Sequence, residues 1–348
     1  MGLALLRDQP LPPTGTARPN LGIVPASSAQ SALPAHHNSN RPANMGEMVG
    51  QASLIGQLKT VIKGSLLRAV PMSHVLIDGP AGFGKTSIAN VVATELGGTL
   101  HTLSGPMLRR PQDLIGVMLR LEVGDVLFCD EVHAAAKSVL ETLYGALEDR
   151  SVSLLLGSGA DSRAHVAQLP AFVCVAATTA PGALPEPFRA RFGLHLSMAP
   201  YDLSELAQIV ANAWRRKGVI FAPSEPHTVA QRCKGTPRVA LHLGERCLDW
   251  VACQGRTVVA HGDCAQALDA FGIDSSGWDA VDRRILSALC SVFAGRAIGV
   301  EALSQAVGLD RSALESRESP MVGAGLITRT ARGRMALSPC YELVKSWS

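Results

Sequence analysis

The stretch Gly79-Pro80-Ala81-Gly82-Phe83-Gly84-Lys85-Thr86 stands just after the apolar run Val75-Leu76-Ile77, with Asp78 between, and before an amphipathic segment. Glycines in such a turn let main-chain N–H groups face an anion, and the positive end of the following helix adds to the attraction. The pattern Gly-x-x-x-x-Gly-Lys-Thr after a strand and before a helix is that of a phosphate-binding loop. Gly79, Gly82 and Gly84 shape the turn, Lys85 is expected to reach the β and γ phosphates of ATP, and Thr86 to ligate Mg²⁺. Ser87 reads as helix surface beside these groups and is kept among the candidate nucleotide contacts.

A second apolar run, "DVLFCDEVH", ends on Asp130-Glu131. Two carboxylates at a strand tip suit a division of labour: Asp130 holds Mg²⁺ through water, and Glu131 polarises the attacking water. His133 could touch a nucleotide-sensing loop, although a histidine at a helix start more commonly packs or faces solvent. A third run, "FVCVAATTAPG", brings the hydroxyls of Thr178 and Thr179 beside the Asp130-Glu131 tip, where they sense the γ-phosphate or are merely solvated. "LPEPFRARFG" then carries Arg189 and Arg191 in a segment whose two prolines are expected to keep it from being helical. One of these arginines could stabilise the transferring phosphoryl, in this chain or a neighbour, or could simply be a surface charge.

These residues need a scaffold, and the chain is long enough for one with several cores. At 348 residues two or three domains are expected. Residues 1–40 are rich in Pro, Ala, Ser and Asn without periodicity, and read as a flexible leader in which His36 and His37 are solvated. A helix near 51–67, strands at 74–78 and 125–129, a helix at 85–96, and further strands at 152–156 and 172–177 give a βαβ rhythm. That rhythm means a parallel sheet flanked by helices over 41–200. Residues 201–273 carry helical spacing and read as a small all-helical lid. From 274 to 348, three helices ("AVDRRILSALCSVFA", "VEALSQAVG", "RSALESRESPMVGAG") precede strands "LIT" and "MAL", the outline of a winged helix. Arg329, Arg332 and Arg334 cluster on the turn of that ribbon, where they could reach DNA phosphates or the minor groove.

Net charge is only +3, so any nucleic-acid contact rests on such a local cluster. None of the eight cysteines falls in a Cys-x-x-Cys pair or a finger-like spacing, so they are read as reduced thiols of a cytoplasmic protein. No apolar run approaches the roughly 20 residues of a membrane span, and "MGLALLRDQP" is too short for a signal peptide. No membrane association is expected.

The order of these pieces resembles the AAA+ ATPases, and more closely the RuvB family, motors of Holliday-junction branch migration. The resemblance runs from about Arg41 to Tyr341. It rests on "RPANMGEMVGQ", "HVLIDGPAGFGKTSIANVVATELG", "LSGPMLRRPQDL", "DVLFCDEVH", "ALED", "LPAFVCVAATT", "FRARFG", "GTPRVA" and "RTARGRMAL". It implies that Thr178 or Thr179 is a nucleotide sensor and that Arg191 is a finger acting on a neighbour's ATP. It implies that Tyr201 and Arg238 feel the nucleotide from the lid side, and that Arg41, Met48, Val49 and Gly50 hold adenine and ribose. Glu148, Asp149 and Arg150 join the nucleotide contacts, and Arg329 and Arg334 match the DNA-contacting positions. The hairpin over 153–169 matches the surface that binds the junction-recognising partner, RuvA, although an apolar strand pair could equally be core.

The implied activity is an ATP- and Mg²⁺-dependent, ring-forming motor, taken as a hexamer, acting on duplex or four-way-junction DNA. A clamp-loader or initiator-like ATPase and a nucleotide-switched DNA-binding regulator are the alternatives. The chain departs from the family's pattern at the leader, at Met48 and Arg150 where aromatics are usual, at Ala180 where arginine is usual, and at Ala81 and Phe83 within the phosphate loop. None of these removes a catalytic group.

Overall fold

The computed structural model describes residues 41–156 and 163–347. The leader with His36 and His37, the tip of the 153–169 hairpin and Ser348 lie outside the described residues. Helix α1 (Ala52–Arg68) precedes strand β1 (Val75–Asp78), helix α2 (Lys85–Leu96), strand β2 (Leu100–Ser104), helix α3 (Pro111–Met118), strand β3 (Val126–Asp130) and helix α4 (Lys137–Asp149). Strands β4 (Ser151–Leu156), β5 (Arg163–Gln168) and β6 (Val173–Thr178), the short helix α5 (Glu186–Arg189) and strand β7 (Leu194–Ser197) follow.

Five of these strands form one parallel sheet in the order β2-β3-β6-β1-β7. Alternate residues face opposite ways along a strand, and here both faces are covered. Leu76, Leu127, Cys129, Cys174 and Ala176 pack with Leu114 and Met118 of α3 and Leu143 of α4. Val75, Ile77, Val126, Phe128, Val175 and Ala177 pack with Leu58 and Ile62 of α1 and Ile88 and Val92 of α2. Near-continuous apolar runs with Asp, Glu and Thr only at their ends follow directly from that two-sided burial. Strand β6 lies between β1 and β3, so the phosphate loop after β1 and the carboxylates after β3 flank Thr178.

Two expectations for this part need correction, and two strands went unread. The strand at 152–156 does not join the parallel sheet: β4 pairs antiparallel with β5, Val152 opposite Ala167, as the hairpin reading required. Strands β2 and β7 do join it, and their half-exposed, partly polar residues at the sheet edges gave no apolar run to detect. The segment with Pro185 and Pro187 is helical for one turn, because Pro185 occupies the cap and Pro187 the first turn. No main-chain N–H is needed at those positions.

The next elements are α6 (Leu203–Arg216), β8 (Ile220–Phe221), α7 (Glu225–Gln231), α8 (Pro237–Cys253), β9 (Val258–Val259) and α9 (Asp263–Ala270). The helices close around Trp214, which is 1% exposed, with Val210, Leu243, Cys247 and Leu268. The expected all-helical lid therefore also carries a two-residue parallel pairing of β8 with β9. Asp202 caps α6, accepting from the Glu205 N–H while the Glu205 carboxylate accepts from the Asp202 N–H.

The last elements are α10 (Ala280–Ser287), α11 (Val300–Val307), α12 (Arg311–Gly323), β10 (Ile327–Thr330), β11 (Gly333–Ala336) and α13 (Ser338–Lys345). They enclose a third core that includes Ile285, Leu289, Leu303, Leu314, Met321 and Ile327. The first helix of this part winds more loosely from Ala288 to Val292, as a π-helix, and α13 was not foreseen from the sequence. Among the described residues no helix is long and apolar enough to cross a membrane.

Candidate nucleotide site

The loop between β1 and α2 is held open by backbone that only glycine adopts readily. Gly82 and Gly84 have φ of 81° and 104°. A Cβ on Gly82 would come within 2.9 Å of the Thr236 methyl and 3.0 Å of Arg238 Cβ, so this glycine also lets the lid approach. Lys85 Nζ donates to the carbonyls of Gly79 at 2.7 Å and Pro80 at 3.1 Å. Burial pulls the Lys85 ammonium below its ordinary pKa; Glu131 and Asp130 pull it back up, and Arg238 opposes them. A cation so buried, with no carboxylate bonded to it among the described residues, fits an anionic ligand.

Glu131 sits at the tip of β3 with left-handed backbone, φ 47°. Gly105 packs against its carbonyl so closely that a side chain there would overlap it. The Thr179 hydroxyl donates to Glu131 Oε2 at 2.8 Å. His133 Nδ1 lies 3.4 Å from the same oxygen and 2.9 Å from Thr178 Oγ1. The favoured sequence reading of His133 as a merely packed or solvated residue is thus corrected: it joins Thr178 to Glu131. Thr178 itself is fully buried and also accepts from the Ala180 N–H at 3.0 Å.

These groups open onto a cleft of about 410 Å³. Arg41, Met48 and Val49 line it before α1; Gly82, Gly84, Lys85, Thr86 and Ser87 line the phosphate end, with Asp130 and Glu131. Tyr201 and Arg238 close it from the lid side. The Tyr201 hydroxyl donates to the Phe83 carbonyl at 3.0 Å, and burial pushes its pKa up to about 12, so it stays a neutral donor. The Arg238 N–H donates to the Gly82 carbonyl at 3.2 Å.

Some expected contacts stand elsewhere. Gly50 and Gly79 do not line the cleft; they make room for Tyr201 and Glu205 in one case and Met198 in the other. Glu148, Asp149 and Arg150 do not line it either, because they end α4, a helix about 20 Å long that starts beyond the β3 tip and runs away from it. Arg191 is outside the cleft as well. Its guanidinium donates to the Tyr144 hydroxyl at 2.7 Å, pairs with Glu148 at 2.8 Å and lies 4.7 Å from the Tyr144 ring centre. Arg189 is tied to Glu186.

Conversely, Ile209, Asn212, Arg216 and Leu241 line the cleft and were not singled out from the sequence. The first three recur at helical spacing along α6, a stripe that could have been noticed.

In the ribbon, Arg329 pairs across the strands with Arg334, and both are bound to Glu318 of α12, which is fully buried. Arg329 Nη2 is 2.7 Å and Arg334 Nε 2.6 Å from the Glu318 carboxylate. The Arg334 side chain is only 16% exposed against 51% for Arg329, and Arg332 on the turn is exposed. Two like charges facing each other on one ribbon face require a counter-charge, and Glu318 supplies it, leaving Arg334 less open to a DNA backbone than Arg329.

A phosphate loop on a parallel sheet, a carboxylate pair on the next-but-one strand and a helical lid over the cleft define a nucleotide-hydrolysing ATPase of the AAA+ class. Residues 40–198 match the family model described as Holliday junction DNA helicase RuvB P-loop domain, 201–274 the RuvB AAA lid domain, and 275–345 the RuvB C-terminal winged helix domain. The chain belongs to the RuvB family. The Holliday junction branch migration complex subunit RuvB of Anaeromyxobacter sp. (strain Fw109-5) is 38% identical over 304 residues, 87% of this chain and 89% of that protein. The Thermotoga maritima RuvB Holliday junction branch migration motor superposes with a TM-score of 0.78 at 32% identity, covering 88% of this chain and 98% of that one. A point mutant of Thermotoga maritima RuvB gives 0.79 at 31% identity over the same shares. The clamp-loader and regulatory-switch readings find no support beside these matches.

Proposed function

We propose that the protein is an ATP-driven motor that moves four-way DNA junctions, working in recombination and repair in the cytoplasm. The observation that carries this reading is the composite cleft, built by the loop at 41–49, the phosphate loop and the lid helices α6 and α8, with Arg191 standing outside it. Lys85 binds the phosphates, Glu131 draws a proton from the attacking water, and Thr179 and His133 hold that carboxylate in place. Thr86 and, through water, Asp130 would hold magnesium, which would supply neutralisation of phosphate charge. These residues fit such an ion, which takes few protein ligands; among the described residues no cluster of three or more His, Cys, Asp or Glu exists to hold one alone.

Arg191 completes the pocket of a neighbouring copy, so the working form is a ring, taken to be a hexamer. The functional divisions are 41–200 for the ATPase, 201–273 for the lid and 274–348 for DNA contact. Arg329 and Arg332 meet the DNA backbone, while Arg334 helps to aim the ribbon. The β4–β5 hairpin, where Val166 is 55% exposed, serves as the docking surface for a RuvA-like protein. The test is ATP-dependent dissociation of a synthetic four-way junction at stated salt, with and without a RuvA-type partner. ATP turnover without junction dissociation in either case would reject the motor.

A further inference from the structure

The short turn between α7 and α8 touches two parts of the molecule at once. On one side Thr236 and Arg238 pack against Gly82 of the phosphate loop. Two residues earlier the backbone reverses through consecutive left-handed positions, Lys234 at φ 54° and Gly235 at 70°. Lys234 thereby reaches the winged helix, where its ammonium bonds Asp282 of α10 and lies 4.9 Å from the Trp278 ring centre. Asp282, 2% exposed, also accepts from Arg317 at 2.8 Å, and Arg317 bonds Asp279 at 2.7 Å. Arg317 belongs to α12 and is adjacent in sequence to Glu318, the carboxylate that holds Arg329 and Arg334.

We propose that Lys234 is a positioning residue for force transmission: the Lys234–Asp282–Arg317 ion pairs carry displacement of the nucleotide-facing turn to α12 and so to the DNA-facing ribbon. The inference rests on the motor reading above. Parting Lys234, 15% exposed, from Asp282, 2% exposed, would take from a buried carboxylate one of its two cationic partners and leave only Arg317 to offset its desolvation. The turn and α10 therefore move together, and packed interfaces convert small shifts at one end into rigid-body changes at the other. Neither Lys234 nor Asp282 lines the cleft, so neither contributes to hydrolysis directly.

The experiment uses the full chain, with ATP turnover measured with and without linear duplex DNA for the parent, Lys234→Met and Lys234→Arg. Methionine keeps the stem over Trp278 and removes the charge. The expected result is that Lys234→Met keeps DNA-free turnover, loses stimulation by DNA by about tenfold, and that Lys234→Arg retains it. Stimulation equal to the parent's, or an equal loss of DNA-free and DNA-stimulated turnover, overturns the proposal. A parent that DNA does not stimulate counts against the motor reading instead, and the joint is then judged by hydrogen exchange. Adding ATP with Mg²⁺ to the parent must alter amide exchange in residues 278–286 and 311–323; no change there overturns the joint whatever the fate of the variant.

Discussion

Replacing Glu131 by glutamine isolates one chemical property of the site. Glutamine keeps the shape of glutamate, and its carbonyl oxygen can still accept the Thr179 hydroxyl bond that measures 2.8 Å here, so the strand tip keeps its conformation. What disappears is the base. A positioned general base is worth about 10² to 10⁴ in rate, or about 3 to 5.5 kcal/mol at about 1.4 kcal/mol per factor of ten. ATP binding moves the other way. Removing the Glu131 charge takes a like charge away from the incoming phosphates, and the phosphates themselves replace the support that Glu131 gives the Lys85 ammonium. Single-turnover hydrolysis should therefore fall by about 10² or more, while equilibrium binding of a fluorescent ATP analogue stays equal or tightens. Turnover within tenfold of the parent's would mean that Glu131 is not the base, and a large loss of binding would mean that the assumed geometry of Lys85 and Glu131 is wrong.

Arg191→Ala should leave ATP binding by the isolated chain unchanged and lower turnover of the assembly by about 10³. Mixing it with Lys85→Ala should restore part of the activity, since each variant supplies what the other lacks; no recovery in mixtures refutes action across subunits. Glu318→Gln leaves Arg334, at 16% exposure, with Glu315 at 3.5 Å as its one remaining carboxylate among the described residues. Breaking a fully buried pair costs about 3 to 5 kcal/mol, and the half-exposed Arg329 reduces this to about 2. Thermal unfolding of the winged helix should show that loss, and an unchanged midpoint would discount the clamp. Acid should destabilise the fold: the Arg256 pair holds Asp263 below its ordinary pKa of 3.8, and the Ala313 N–H and Ser312 hydroxyl do the same for Asp310. Because these folded-state values are depressed, their stabilisation is complete above about pH 4 and is lost as pH falls through them. A melting temperature flat from pH 5 to 2 would contradict the assignment.

The reacting groups were legible in the sequence because their chemistry is local. A glycine turn before Lys85, or carboxylates ending an apolar run at Asp130, depends on residues adjacent in the chain, and two-sided burial of the sheet writes itself as long apolar runs. Helices α1, α2, α6 and α8 were likewise visible through their apolar spacing.

What the sequence could not supply was the identity of whatever stands opposite. His133 faces Thr178 and Glu131 only because β6 inserts beside β3. Asn212 and Leu241 meet the cleft only because the lid folds back over Gly82. Arg334 reads as one more exposed cation until α12 brings Glu318 beneath it. Burial and charge pairing arise between residues far apart in the chain, so the sequence by itself named the chemistry while the tertiary packing determined which groups are free to perform it.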